Sequence, residues 1–362
     1  MKSNWMALAA LGCFAMLVWA AEDRPKLHPL PPLAGNAKTG PAVGTKIPAL
    51  QAIDQDGKPR DFQSLRGPKG LVLVFARSAD WCPYCKTHLA DINKQVQAFK
   101  DKGLAVASIT YDSQAVLKDF STRLTIGYPM LSDPQSKVIR AFGLLNTNVD
   151  PKSPQYGIPF PGTIIVNEKG VVTSKYFEDD YRERYSAASI VTHEFGADGV
   201  DKTMTETTQM KVTSSASDAR VAPGNRVTLI VDIEPKPKMH VYAPGVKKYL
   251  PIDWQIVESK ITSATEVKYP ASHMINLPAI GETVPVYDQP TRFTRDVVIG
   301  QEDEVGPEIG SKRMLSVYGT LKYQACDDRQ CYLPKTVPLK WTVLVERLDP
   351  VRPPAAIQRK IQ

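Results

Sequence analysis

Two close cysteine pairs could do chemistry in this chain. Cys82 and Cys85 sit in Trp81-Cys-Pro-Tyr-Cys-Lys86, and Cys326 and Cys331 flank Asp-Asp-Arg-Gln. A close dithiol can cycle to a disulfide with transfer of two electrons, staple a loop, or supply half of a tetrathiolate metal site. The surroundings of each pair weigh these readings. Cys82 follows an apolar run, Leu71–Phe75, and opens a stretch with helical spacing. A helix N-terminus there presents unpaired N–H groups and about half a positive charge, which stabilises a thiolate on Cys82. Cys85, one turn further on, is placed to attack a mixed disulfide formed at Cys82. Cys326 and Cys331 instead lie between two alternating stretches, Met314–Tyr323 and Thr336–Trp341, as at the tip of a bridged hairpin. A bridge that closes so small a loop adds comparatively little stability. That favours exchange as its purpose, with a hairpin clip as the other reading. A zinc site joining both pairs would need distant segments to converge with their thiolates kept reduced, so no metal is expected.

The elements that must position the first pair alternate between strand and helix. Leu71–Phe75 and Leu104–Thr110 read as buried strands, and helices are expected over 85–102, 113–124 and 138–144. A hairpin turning at Gly170 joins Thr163–Val166 to Val171–Phe177. This order implies a mainly parallel sheet covered by helices. After about Asp198 the texture changes to short alternating stretches, such as Arg226–Ile233 and Trp341–Val345, between turns rich in Pro, Gly, Asn and Asp. No amphipathic helix stands out there, and the pattern is that of a β-sandwich. The acidic runs Glu178-Asp-Asp180 and Glu302-Asp-Glu304 read as solvated loops.

The first residues set the redox context. Met1–Trp5 carries one positive charge, and the apolar run Met6–Ala20 is shorter than the ~20 residues that span a bilayer. It reads as a secretory signal peptide over 1–20, and Cys13 would leave with it. The mature protein is then expected to be soluble and exported across the inner membrane to the periplasm, a compartment where disulfides persist. A Pro-rich arm is expected over 21–45, a first domain over 46–196, a second over 203–346, and a flexible tail over 349–362. Charged residues make up 23% and hydrophobic residues 43%, which is globular composition. The formal charge of +7 is spread along the chain. It allows peripheral contact with anionic membranes and offers no stripe for nucleic acid.

Strand, Trp81-Cys-x-x-Cys-Lys86, helix resembles the thioredoxin-fold active site. Residues from about 43 to 196 are similar to redoxins of the alkyl-hydroperoxide-reductase and thiol-specific-antioxidant branch, through Tyr128-Pro-Met-Leu-Ser-Asp-Pro134 and Ala141-Phe-Gly143. The resemblance implies a cis-proline at Pro161 that shapes the substrate face together with Trp81 and Tyr84. Two departures stand out. Peroxidatic members carry Thr or Ser three before the cysteine and an Arg near the last strand; here Ala79 and Gly162 stand there, with Arg77 and Ser78 as the nearest replacements. Thioredoxin carries a buried acid six before its first cysteine; Ala76 stands there, leaving water or Asp80 to take the proton.

Tyr323-Gln-Ala-Cys-Asp-Asp-Arg-Gln-Cys-Tyr-Leu-Pro334 and Met239-His-Val-Tyr-Ala-Pro244 resemble the amino-terminal periplasmic domain of DsbD-type thiol:disulfide interchange proteins. That resemblance implies an immunoglobulin-like sandwich in which Cys326 and Cys331 form a relay pair. Tyr323 and Tyr332 read either as shields of that pair or as core residues, and His240 as a packed residue. No phosphate loop, Gly-x-Ser-x-Gly elbow or His-Glu-x-x-His helix occurs, so no cofactor is expected. The fold expected is an α/β thioredoxin domain followed by an all-β immunoglobulin-like sandwich. The function expected is thiol:disulfide exchange at Cys82, Cys85, Cys326 and Cys331. Partners would be protein disulfides or dithiols, the other domain across a linker near 196–205, or a membrane thiol:disulfide reductase. A peroxide-reducing antioxidant and a scaffold with structural disulfides are the alternatives.

Overall fold

The computed structural model describes residues 39–277 and 281–359. The signal peptide and most of the Pro-rich arm lie outside the described residues. Residues 42–46 close on the first domain, with Gly44 N–H donating to Val172 O at 2.8 Å.

The first domain is built in the order β1 (Gln51–Asp54), β2 (Pro59–Asp61), α1 (Phe62–Leu65), β3 (Gly70–Phe75), α2 (Pro83–Lys94), α3 (Val96–Asp101), β4 (Leu104–Thr110), α4 (Gln114–Leu124), β5 (Met130–Ser132), α5 (Lys137–Ala141), β6 (Gly162–Asn167), β7 (Val172–Phe177), β8 (Arg184–Tyr185) and α6 (Ala187–Phe195). Its central strands β3 and β4 are wholly apolar or nearly so because helices cover both faces. Two ladders, β2–β1–β5–β4 and β3–β6–β7, meet where Ala76 N–H, just past β3, donates to Ile109 O at 3.0 Å. The expected mainly parallel sheet is corrected. β4–β5 is parallel, whereas β1–β5, β3–β6 and β6–β7 are antiparallel. A parallel β6 would need a crossover back to the other end of the sheet; the irregular stretch 142–161 returns it running the opposite way. The single helix expected over 85–102 is broken at Gln95 into α2 and α3.

The second domain continues with β9 (Val200–Glu206), β10 (Met210–Ala216), β11 (Arg220–Val221), β12 (Asn225–Pro235), β13 (His240–Tyr242), β14 (Asp253–Ile256), β15 (Thr262–Ala264), β16 (His273–Leu277), β17 (Glu282–Tyr287), β18 (Thr291–Ile299), α7 (Glu302–Ile309), β19 (Met314–Tyr323), β20 (Ala325–Cys326) and β21 (Lys335–Val345). Sheet β15–β18–β12–β10–β9 and sheet β11–β21–β19–β14 enclose one core, with Trp254 stacked on Trp341 at 5.6 Å. A smaller sheet, β16–β17–β13–β20, carries the second dithiol. Helix α7 was not expected. Its acidic first turn, Glu302, Asp303 and Glu304, suits the positive end of the helix dipole, so this run is helical rather than a loop.

The domains are joined by shared structure. β8 of the first adds in parallel to β12 of the second, Arg184 facing Asn225 and Tyr185 facing Arg226. Arg226 donates two hydrogen bonds to Glu178, at 2.9 and 2.7 Å, with both side chains almost fully buried. The run Glu178-Asp-Asp180 is therefore not simply solvated; its first carboxylate is an interdomain anchor. Nor is 196–205 a slack linker, since Arg292 holds Gly196 O, Ala197 O and Asp198. Residues 349–359, expected to be loose, pack back along α2 through hydrogen bonds to Thr87, Lys86, Asp80 and Tyr111.

Candidate active sites: two dithiols at opposite ends

β3 delivers the chain to the first site, and the turn 76–81 redirects it into α2. A buried carboxylate, Asp112 two residues past β4, holds that turn. It accepts from Ser78 Oγ at 2.8 Å and from Ala79 N–H at 2.6 Å. Burial pushes its pKa up to about 6, against the pull of those donors. Ser78 Oγ in turn accepts from Asp80 N–H at 3.0 Å. Cys82 is the N-cap of α2, with Pro83 in the first turn where a missing N–H costs nothing. Its sulfur accepts from Cys85 N–H at 3.2 Å, so an orphan donor of the helix start is aimed at the atom that would carry thiolate charge. Cys82 and Cys85 are joined as a disulfide, Cα–Cα 5.3 Å, and each is 1% exposed.

The surround is aromatic and cationic. Trp81 Nε1 donates to Tyr111 OH at 2.8 Å. The Arg77 guanidinium lies 4.9 Å from the Trp81 ring and 4.0 Å from that of Tyr181, whose edge meets Tyr84 at 6.3 Å. Burial, with Arg77 nearby, lowers the Arg184 guanidinium to about 9. Burial, with Arg184 adding, lowers His88 to about 3. Arg77 Nε, Arg184 Nη2 and both His88 ring nitrogens are buried without a hydrogen-bond partner. At Gly162 an added Cβ would meet the Phe177 ring at 2.3 Å, so any side chain at that position would have to displace this buried ring. Pro161 is buried and enters β6 beside the end of β3, because Gly162 pairs with Phe75. Its peptide bond is trans, correcting the expected cis-proline; no cis bond occurs among the described residues. The extended entry into β6 already places Pro161 at the dithiol end of the sheet.

The second dithiol joins Cys326, at the end of β20, to Cys331, Cα–Cα 4.0 Å. Asp327 organises the four-residue loop by accepting from the N–H groups of Arg329 and Gln330 and from Tyr332 OH, each within 2.8 Å. These donors hold its carboxyl below the ordinary range, Tyr332 foremost. Tyr323 is a core residue, bonded to Thr207 Oγ1 at 2.9 Å. The residue that touches the sulfurs is Tyr242, with its hydroxyl 3.3 Å from Cys326 Sγ and 3.5 Å from Cys331 Sγ. Its ring stacks on Tyr249 at 4.3 Å, and burial pushes its phenol up to about 12. His240 pairs with Cys326 in register and packs edge-on to Tyr242; it is buried.

The fold does not bring the two pairs together. The interdomain contacts run along β12, but the first dithiol lies at its Asn225 end, where Tyr84 and Arg77 meet Tyr181 just before Arg184 faces Asn225. Cys326 lies beyond the opposite ends, where Tyr323 faces Lys335 and Met210 faces Pro235. Strands of this length put on the order of 30 Å between the two ends. A metal site shared by four thiolates is incompatible with that separation. Asp112, Tyr111, Arg184, His88 and Tyr242 were missed in the sequence. Asp112, an acid just past an apolar strand run, left a signal there, and Tyr242 lies within the Met239–Pro244 segment without a role read for it.

Residues 43–175 match the AhpC/TSA family, and residues 207–340 match the description "thiol:disulfide interchange protein DsbD, N-terminal". A putative peroxiredoxin of Mycobacterium tuberculosis is 29% identical over 138 residues, spanning 37% of this chain and 83% of its own. Thiol-disulfide oxidoreductase ResA of Geobacillus thermodenitrificans is 22% identical over 151 residues, spanning 40% of this chain and 78% of its own. Among solved structures, peroxidoxin BcpB of Mycobacterium tuberculosis aligns with a TM-score of 0.35 at 20% identity, covering 40% of this chain and 89% of that one. The chain thus carries an AhpC/TSA-type thioredoxin-like domain followed by a strand-rich, immunoglobulin-like DsbD N-terminal domain, in that order.

Proposed function

We propose that this protein is an exported, periplasmic thiol:disulfide oxidoreductase whose first dithiol exchanges with protein partners and whose second serves a different partner. The observation that carries the reading is Cys82 at the N-cap of α2 with Cys85 N–H directed at its sulfur. In the reducing direction, the Cys82 thiolate attacks a partner disulfide. The partner S–S bond breaks, a Cys82–partner bond forms, and one partner thiolate leaves. The Cys85 thiolate then attacks Cys82 Sγ, closing the Cys82–Cys85 disulfide and releasing the second partner sulfur. Two electrons have passed to the partner, and its thiolates take protons from solvent. The reverse sequence oxidises a dithiol, and the difference in potentials sets the direction. With about 30 Å of sandwich between the pairs, Cys326–Cys331 is served best by an external dithiol, such as that of a membrane reductase.

Hydroperoxide reduction is the second reading, favoured by the buried, unpartnered N–H groups of Arg77 and Arg184. One experiment addresses both. Cys85→Ala should accumulate disulfide-linked partner proteins at Cys82 in cell extracts, separable by reduction. If none forms, and reduced Cys82 is oxidised by peroxide much faster than a free thiol, the peroxidase reading replaces exchange.

A further inference from the structure

The segment after β21 runs along α2 toward the first dithiol and is held at every step. Asp349 N–H donates to Thr87 Oγ1 at 3.0 Å, and its carboxylate pairs with Arg123 at 2.7 Å. Lys86 Nζ donates to Val351 O. Arg352 then places two nitrogens on the Asp80 carboxylate, at 2.7 and 3.0 Å. Arg359 reaches Tyr111 O at 3.1 Å and lies 4.0 Å from the Tyr111 ring. The contacts thus pass from the second turn of α2 to the loop just before Cys82.

Lys86 and Asp80 flank the dithiol with opposite charges, yet neither satisfies the other. Asp80 is fully buried and Lys86 is 1% exposed. A lysine that meets a backbone carbonyl and a carboxylate that meets the next residue's guanidinium form a general reader of an extended chain. Any Xaa-Arg dipeptide supplies both groups, and a bidentate arginine–carboxylate pair adds orientation. Pro350, Pro353 and Pro354 favour an extended path over 350–354 and lack N–H groups that would demand partners; a turn at 355–357, closed by Ile357 N–H on Pro354 O at 3.0 Å, then brings Arg359 back to Tyr111.

We propose that Asp80, Lys86 and Tyr111 form a peptide-binding groove for an extended, arginine-bearing segment of a partner protein, and that residues 349–359 occupy this groove in cis. The partner class rests on the exchange reading above; the groove and its occupant do not. A partner must displace the strap before its sulfur can approach Cys82, which is itself 1% exposed.

The test reads Cys82 alone, by peptide mass mapping of iodoacetamide labelling after reduction. A chain ended at Leu348 should label at Cys82 at least tenfold faster than the full chain, and Arg352→Glu in the full chain several-fold faster. A synthetic peptide spanning Asp349–Arg359, added to the shortened chain, should restore slow labelling. The same peptide carrying Arg352→Glu should not. Labelling unchanged within twofold by both the deletion and Arg352→Glu, or equal protection by the two peptides, would overturn the proposal. Loss of partner trapping by Cys85→Ala would remove the exchange reading while leaving this labelling result to stand by itself.

Discussion

Single atoms decide what each sulfur can do. Cys82 Sγ faces a backbone donor, Cys85 N–H, whereas Cys326 Sγ faces a phenol, Tyr242. On reduction that hydroxyl is the nearest donor to a Cys326 thiolate, and a hydrogen bond to a charged acceptor is worth roughly 1.5–3 kcal/mol. Tyr242→Phe should therefore raise the Cys326 thiol pKa by about one to two units, read from the pH dependence of its alkylation. An unchanged profile would show that the phenol packs against the sulfurs without bonding the thiolate. Tyr242 illustrates the limit of reading at this scale. Cys326 was legible as half of a pair, but its hydroxyl neighbour stands far away in sequence, brought close only when β13 pairs with β20.

At the scale of elements, the turn between β3 and α2 depends on a third element. Asp112, two residues past β4, holds Ser78 and Ala79, so the position of the helix start is set by the neighbouring strand. Asp112→Ala should leave two buried donors without their acceptor and cost about 1–3 kcal/mol in urea unfolding. Asp112→Asn, which keeps one acceptor oxygen, should cost less. Equal costs would mean the carboxylate is not what fixes the turn. Apolar runs made β3 and β4 legible, and the 3.6 spacing made α2 legible. The break at Gln95 and the reversal of β6 were not, because a helix interruption and a strand direction depend on packing partners rather than on local pattern.

The whole molecule behaves as two domains sharing an interface rich in buried polar groups. Ser186 Oγ bonds Asp218 at 2.6 Å and His193 meets Asp296 at 2.9 Å across it, while Ala187 N–H bonds Asp91 at 2.8 Å on the first domain's side. Burial, with the Asp91 carboxylate adding, pushes Asp218 up to about 7, and burial raises Asp91 as well. The sign follows from linkage. A carboxyl whose folded pKa lies above its unfolded value keeps its proton longer when folded. Stability is fully present below the unfolded value near 3.8 and falls as pH rises toward 7, by on the order of 1 kcal/mol per unit. Asp218→Asn should flatten this slope, measured by urea unfolding between pH 5 and 8. A slope unchanged by the substitution would place its origin elsewhere.

By itself the sequence determined the two cysteine pairs, the strand-to-helix setting of the first, the hairpin setting of the second, and the change from α/β to β texture between them. Those features are local: they are written in spacing, periodicity and turn residues. Only the tertiary structure decided that the pairs face away from each other, that Glu178 anchors an arginine of the other domain, and that 349–359 lie along α2. Each of these joins residues distant in the chain through burial or charge pairing. Local pattern carries no record of such contacts until the strands are assembled.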